Sequence, residues 1–152
     1  MMNKICLSVI SDHRPVIRVL LTILFASFVA ASAQAGEEQG PCVRMIESWY
    51  GVDPTPLDKD LHPEFIKQGV YRDRDGATQT PTMDKAEFIA AVGDDRKKMP
   101  PEDWDITAET VELTGPIATV KVTSAHLVDV CQLGNIDGEW QVINVIWTLR
   151  KT

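Results

Sequence analysis

The last third of this chain constrains its fold most. Residues 115–151 form two long runs rich in Val, Ile and Thr, joined by Asp137-Gly138. An Asp-Gly pair between β-rich runs favours a two-residue hairpin, because its central positions need positive φ. The second run, residues 139–150, carries Trp140 near its start and Trp147 near its end. An antiparallel pair is therefore written into the C-terminal end, and what precedes it must cover one of its faces.

Just upstream the pattern is still period two. Trp104, Ile106 and Ala108 alternate with polar residues, then the phase slips by one between Thr110 and Val111, as at a β-bulge. Residues 117–133 exceed an ordinary strand, so a bend or bulge is expected near Ser124 to His126. Gly115-Pro116 makes the turn into that run. Further back the period becomes 3.6. Cys42, Met45, Ile46, Trp49 and Tyr50 form one apolar stripe behind Pro41, with Gly51 as the stop. Thr55 and Pro56 are placed to start a short second helix to about Leu61, ended by His62-Pro63. Residues 65–71 alternate weakly as a strand, and 72–81 is a polar loop. Thr82 is placed to cap a helix over 83–92, followed by a charged, Pro-rich loop over 93–103. Helices first and long strands after predict an α+β domain, its helices packed on one face of a curved antiparallel sheet.

Residues 1–35 differ from the rest. Lys4, Arg14 and Arg18 precede an uncharged run over 19–31, and Ala33-Gln34-Ala35 puts small residues at the −3 and −1 positions before Gly36. That is the plan of a secretory signal peptide, which makes 36–152 the functional domain and predicts a periplasmic or secreted protein. The run is shorter than the about 20 residues a spanning helix needs, so no membrane attachment is expected after cleavage. The chain carries a net charge of −7, and losing Lys4, Arg14 and Arg18 with Asp12 leaves about −9. So acidic a domain is a poor partner for nucleic acid or anionic lipid, which need basic patches. Cys6 leaves with the leader, while Cys42 and Cys131 remain. They are either small buried hydrophobes or a disulfide, which export permits. A bridge would close a loop of about 90 residues, worth about 4–5 kcal/mol in the chain-entropy account.

A set of segments carries a family resemblance. They are Trp49-Tyr50, then Leu61-His62-Pro63-Glu64-Phe65, then Ile117-Ala118-Thr119-Val120-Lys121-Val122, Leu127-Val128-Asp129, and the run from Asp137-Gly138-Glu139-Trp140 through Trp147. In this order they resemble the nuclear transport factor 2-like superfamily, the cone-shaped α+β fold shared with ketosteroid isomerase, scytalone dehydratase and SnoaL-like polyketide cyclases. More narrowly they resemble its bacterial branch described as lumazine-binding. The resemblance covers essentially all of 36–152. It implies the cone and a homodimer, and implies function only loosely, because one superfold hosts unrelated chemistries.

Candidate chemistry is sparse. There is no Gly-rich phosphate loop, nucleophile elbow, CxxC or HExxH pattern, so no cofactor is expected. His62 and His126 have no Cys or acid beside them at ligand spacing, so no metal is expected either. His62 reads as part of a helix-ending turn. His126 shares a strand face with Val120, Val122, Val128 and Val130 if no bulge intervenes, as a core histidine or as a pocket donor or base. Asp129 alternates with Leu127 and Cys131, which are not polar; it is either solvent-facing or a buried carboxylate in a pocket or interface. Asn144 shares a face with Trp140, Val142 and Ile146, and could line a pocket or bond a neighbouring strand. Tyr50 lies on the helical stripe and can reach the cone, as a donor or as a core aromatic. The four tryptophans suit a core or a stacking pocket.

Three functions follow in order. The first is an exported homodimer whose conical apolar pocket takes a small aromatic or heterocyclic molecule, lined by Trp49, Tyr50, Phe65, His126, Trp140 and Asn144. The second is an isomerase, dehydratase or cyclase with His126 or Asp129 as base and Tyr50 or Asn144 as donor. The third is a dimeric interaction module that uses its sheet face.

Overall fold

The computed structural model describes residues 36–94, 96 and 98–151. The signal peptide expected over 1–35 lies outside the described residues.

Helix α1 spans Gln39–Gly51 and buries Cys42, Met45, Ile46 and Tyr50, with Trp49 half-buried, as the stripe predicts. Gly51 is its last residue rather than its stop. Val52 caps it in the left-handed region (φ 59), its N–H donating to the Ser48 carbonyl. Helix α2 is one turn, Leu57–Asp60. Thr55 is not its cap: Pro56 holds that position, and the Thr55 N–H donates to Asp53 Oδ1 at 3.0 Å in an Asx turn. The Arg44 guanidinium grips the buried Asp60 carboxylate through two hydrogen bonds of 2.7 and 2.6 Å and ties α1 to α2.

Strand β1, Leu61–Gly69, starts directly after α2, earlier than residue 65. Pro63 fits because pairing is irregular between Leu61 and Ile66. Inside the expected loop lies a small hairpin, β2 Tyr71–Arg72 with β3 Thr78–Gln79. The Asp73 carboxylate organises it by accepting from Asp75 N, Ala77 N and Gln79 Nε2. Strand β4 is Thr82–Asp84 and helix α3 is Lys85–Val92. The cap of α3 is Asp84, not Thr82. Asp84 accepts from the Glu87 N–H at 2.9 Å and Glu87 accepts from the Asp84 N–H at 3.0 Å, a capping box. With the helix starting there, Thr82–Asp84 are free to pair with β1.

Four strands complete the domain: β5 Thr107–Thr114, β6 Ile117–Thr123, β7 Leu127–Ile136 and β8 Glu139–Leu149. The bulge expected in β5 falls between Thr110 and Glu112. Asp137 (φ 53) and Gly138 (φ 89) turn the β7–β8 hairpin as expected. The run 117–133 is not one bent strand: β6 and β7 pair antiparallel about a turn at Ser124, Ala125 and His126. That turn contains no Gly, Asn or Pro. Besides its own Ser124 N–H to Leu127 carbonyl bond of 2.9 Å, distant partners hold it. The Ala125 N–H donates to the Trp104 carbonyl, the His126 N–H to the Tyr50 hydroxyl, and the Arg150 N–H to the His126 carbonyl.

The large sheet has the order β4-β1-β8-β7-β6-β5, antiparallel except that β1 runs parallel to β8. Its register sets three rows across the face that the helices cover. Leu61, Val142, Leu133 and Ala118 form one row; Lys67, Val145, Cys131, Val120 and Thr110 the next; Gly69, Trp147, Asp129, Val122 and Ala108 the third. Met45, Ile46, Leu57, Phe65, Phe88 and Val92 join these rows in one core. Among the described residues no helix is long and apolar enough to cross a membrane.

Candidate functional site

Two of the inward rows break the apolar rule. Lys67 of β1 and Asp129 of β7 both point into the core, their side chains 4% and 1% exposed. They sit on strands separated by β8, about 10 Å of sheet. The long Lys67 arm crosses β8, and its Nζ pairs with Asp129 Oδ1. The same ammonium lies 5.3 Å from the Phe88 ring centroid, a cation–π contact. Phe88 stacks on Trp49 at 5.7 Å with the planes 7° apart. Desolvating two charges costs as much as their attraction returns, so well-packed apolar side chains would stabilise this interior equally well. Such a pair inside a core is a candidate for function rather than for stability.

The pair is not fully satisfied. Asp129 Oδ2 and Trp147 Nε1 are buried and have no hydrogen-bond partner among the described residues. The two residues face each other in the β7–β8 register. Gly69 on β1 makes room for the indole: a Cβ there would stand 2.7 Å from the Trp147 ring. Tyr71 stacks on the same indole at 5.3 Å.

Cys42 of α1 and Cys131 of β7 meet beside this group as buried free thiols. Burial first, and the neighbouring Cys131 thiol second, push the Cys42 thiol well above its ordinary range. The topology thus brings together the two cysteines that the sequence allowed to bridge. At the N-cap of α1, one turn before Cys42, the buried Glu38 carboxylate accepts from Gly36 N and from the Thr110 hydroxyl, at 3.0 and 2.6 Å. Burial raises its pKa, but these hydrogen bonds together outweigh burial and leave it below the usual value.

The residues expected to line a pocket do not converge. Trp49 and Phe65 surround Phe88 in the core near the ion pair. Trp140 packs against the core at the hairpin end of β8, the end opposite Trp147. The Tyr50 hydroxyl bonds Ser124 Oγ at 3.0 Å and accepts the His126 N–H at 3.2 Å, so it is committed to holding the turn. His126 is exposed in that turn, with its ring edge-on to Tyr50, and does not share a strand face with Val120 and Val122. Asn144 lies on the other face of the sheet. Pairing with β7 shifts between Val142 and Asn144, which leaves Ile143 over and turns Asn144 outward, where its Nδ2 donates to Gln132 Oε1 at 3.1 Å. His62 lies in the first part of β1 rather than in a helix-ending turn, and its Nδ1 accepts the Glu64 N–H at 3.2 Å. Asp129 is the sequence candidate that the structure puts at the centre, in the buried row shared with Trp147. Its partner Lys67 escaped the sequence reading, although it has the same strand parity as Phe65.

The outer face of the sheet carries a groove of about 250 Å³ lined by Ile117, Thr119, Gln132 and Ile143 among others. Ile66, Val130, Ile146 and Ile117 are 40%, 39%, 50% and 58% exposed. Among the described residues no group of three or more His, Cys, Asp or Glu could hold a metal ion.

The sequence profile of a family described as Putative lumazine-binding matches residues 43–148. No curated protein matches the chain. Solved structures share its fold at low identity. A nuclear transport factor 2-like protein of unknown function from Silicibacter pomeroyi is 15% identical with a TM-score of 0.57, covering 77% of this chain and 99% of its own. One from Shewanella baltica is 12% identical with a TM-score of 0.56, covering 80% and 97%. One from Novosphingobium aromaticivorans, described as having a cystatin-like fold, is 13% identical with a TM-score of 0.53, covering 82% and 87%.

Proposed function

The chain belongs to the Putative lumazine-binding family, and from that premise we propose an exported protein that binds a small flat heterocycle inside its curved sheet, at Lys67, Asp129 and Trp147. The observation that carries this is the buried Lys67–Asp129 pair, set among Trp49, Phe88 and Trp147. Aromatic faces stack on flat rings, and a few polar groups in an apolar surround fix their orientation. The pair is closed over by side chains, so a ligand reaches it by displacing the aromatic groups stacked around it. His126, Tyr50 and Asn144 take no part. Titration of lumazine and of 2-quinolone into the purified protein tests the proposal through tryptophan fluorescence. Saturable quenching is expected in the wild type, and its affinity falls about tenfold or more in the Lys67→Met/Asp129→Leu double variant, which keeps the core apolar and filled. No saturable quenching with either compound would overturn it.

The outer face favours a second, compatible reading. Ile66, Val130, Ile146 and Ile117 lie exposed on a sheet face that no helix among the described residues covers. We assign it to a second copy of this chain, in keeping with the homodimer that the superfamily resemblance implies. Export would also place Cys42 and Cys131 in an oxidising compartment, where thiol–disulfide exchange with an oxidised protein disulfide could join them. The intact mass of protein isolated from its own cells reads both points: loss of residues 1–35, and two hydrogens fewer if the bridge forms.

A further inference from the structure

Asp129 and Trp147 offer more than a generic polar anchor. One carboxylate oxygen, Oδ1, is taken by Lys67, and the other has no partner among the described residues. The Trp147 indole N–H has none either. A carboxylate oxygen only accepts and an indole nitrogen only donates. The two residues oppose each other across β7 and β8 on the covered face, where facing Cβ atoms lie about 4.5–5.5 Å apart. A buried acceptor and a buried donor therefore belong to facing residues of one inward row, each lacking its complement.

We infer that this pair is a recognition edge for a lactam, a flat ring carrying an N–H and a C=O on adjacent atoms. The lactam N–H donates to Asp129 Oδ2 and its carbonyl accepts from Trp147 Nε1. The assignment rests on the ligand proposed above and names its chemical class. Other chemistries fit less well. An anion would meet the Asp129 carboxylate in a desolvated site. A ligand with acceptors alone leaves Oδ2 unpaired, and one with donors alone leaves Nε1 unpaired. A cation would compete with Lys67 for the same carboxylate and give nothing to the indole. Gly69 completes the edge, because any side chain there would drive the indole off its place opposite Asp129.

A matched ligand pair tests this without relying on variants that could unfold. Calorimetric titration compares 2-quinolone with N-methyl-2-quinolone, which keeps ring and carbonyl but has no N–H. Wild-type protein is expected to bind the lactam about tenfold or more tighter than the methylated analogue, the value of a lost charge-assisted hydrogen bond. The Lys67→Met/Asp129→Leu variant is expected to lose that gap. Trp147→Phe is expected to weaken both compounds to a similar degree while preserving the gap, since both carry the carbonyl. Equal wild-type affinity for the two compounds overturns the lactam edge and leaves the heterocycle proposal standing. Binding of neither overturns the heterocycle proposal, and the edge falls with it.

Discussion

Lys67 and Asp129 compensate each other's charge inside the core, and among the described residues neither forms a second salt bridge. Removing one member leaves a bare buried charge. Lys67→Met is therefore expected to destabilise the fold by about 3–5 kcal/mol in urea denaturation, while the Lys67→Met/Asp129→Leu double variant recovers most of that loss. A double variant no more stable than the single one would show that the pair is needed for packing itself. Glu38 gives a pH signature. Its folded pKa lies below its unfolded value, so its contribution is fully present above the unfolded value of about 4.3 and is lost as pH falls through the folded one. Thr110→Val, which removes the hydroxyl donor, should flatten this acid-side loss in denaturation curves recorded down the acid range. At this scale the sequence was partly readable. Asp129 stood out because its strand neighbours Leu127 and Cys131 are apolar. Lys67 did not, because a lysine in a weakly alternating run reads as solvent-facing, although Phe65, Lys67 and Gly69 share one parity. Asn144 keeps the face of Ile146 but not that of Trp140 and Val142, because the irregularity at Ile143 inverts the alternation after Val142, and it bonds the neighbouring strand.

Elements whose cause is local were legible: the α1 stripe, the bulge in β5 and the Asp137-Gly138 hairpin. Elements whose cause is distant were not. The β6–β7 turn depends on Tyr50, Trp104 and Arg150, none of them near it in sequence. Without those partners a periodicity reading sees one long run. Tyr50→Phe removes the acceptor of the His126 N–H and the partner of Ser124 Oγ. The expected cost is about 1–3 kcal/mol, with faster amide hydrogen exchange at His126. His126→Ala should change stability far less, because that side chain is exposed. A larger effect from His126→Ala than from Tyr50→Phe would reverse this account of the turn. The start of α3 was misplaced for a different reason. Asp84 and Glu87 form a capping box that was readable in the sequence, and Thr82 drew attention from it as another good cap.

For the whole domain, an inward face of mixed apolar and charged residues and an outward face of exposed isoleucines and valines divide the work proposed for it. The α+β architecture was legible because helical period gives way to strand period along the chain. The roles of the two faces were not, since they depend on register. If a second copy covers the outer face, Ile146→Glu should convert dimer to monomer in analytical ultracentrifugation and leave heterocycle affinity unchanged. A wild-type monomer at high concentration would remove the outer face from the account. The central claim concerns the inner face, and the indole N–H signals of the four tryptophans in a proton–nitrogen NMR spectrum read it directly. On titration with lumazine, the Trp147 signal is expected to move saturably as its N–H gains an acceptor, while the Trp140 signal at the far end of β8 stays in place. A Trp147 signal that does not move while outer-face amides such as Val130 and Ile146 do would contradict the interior site.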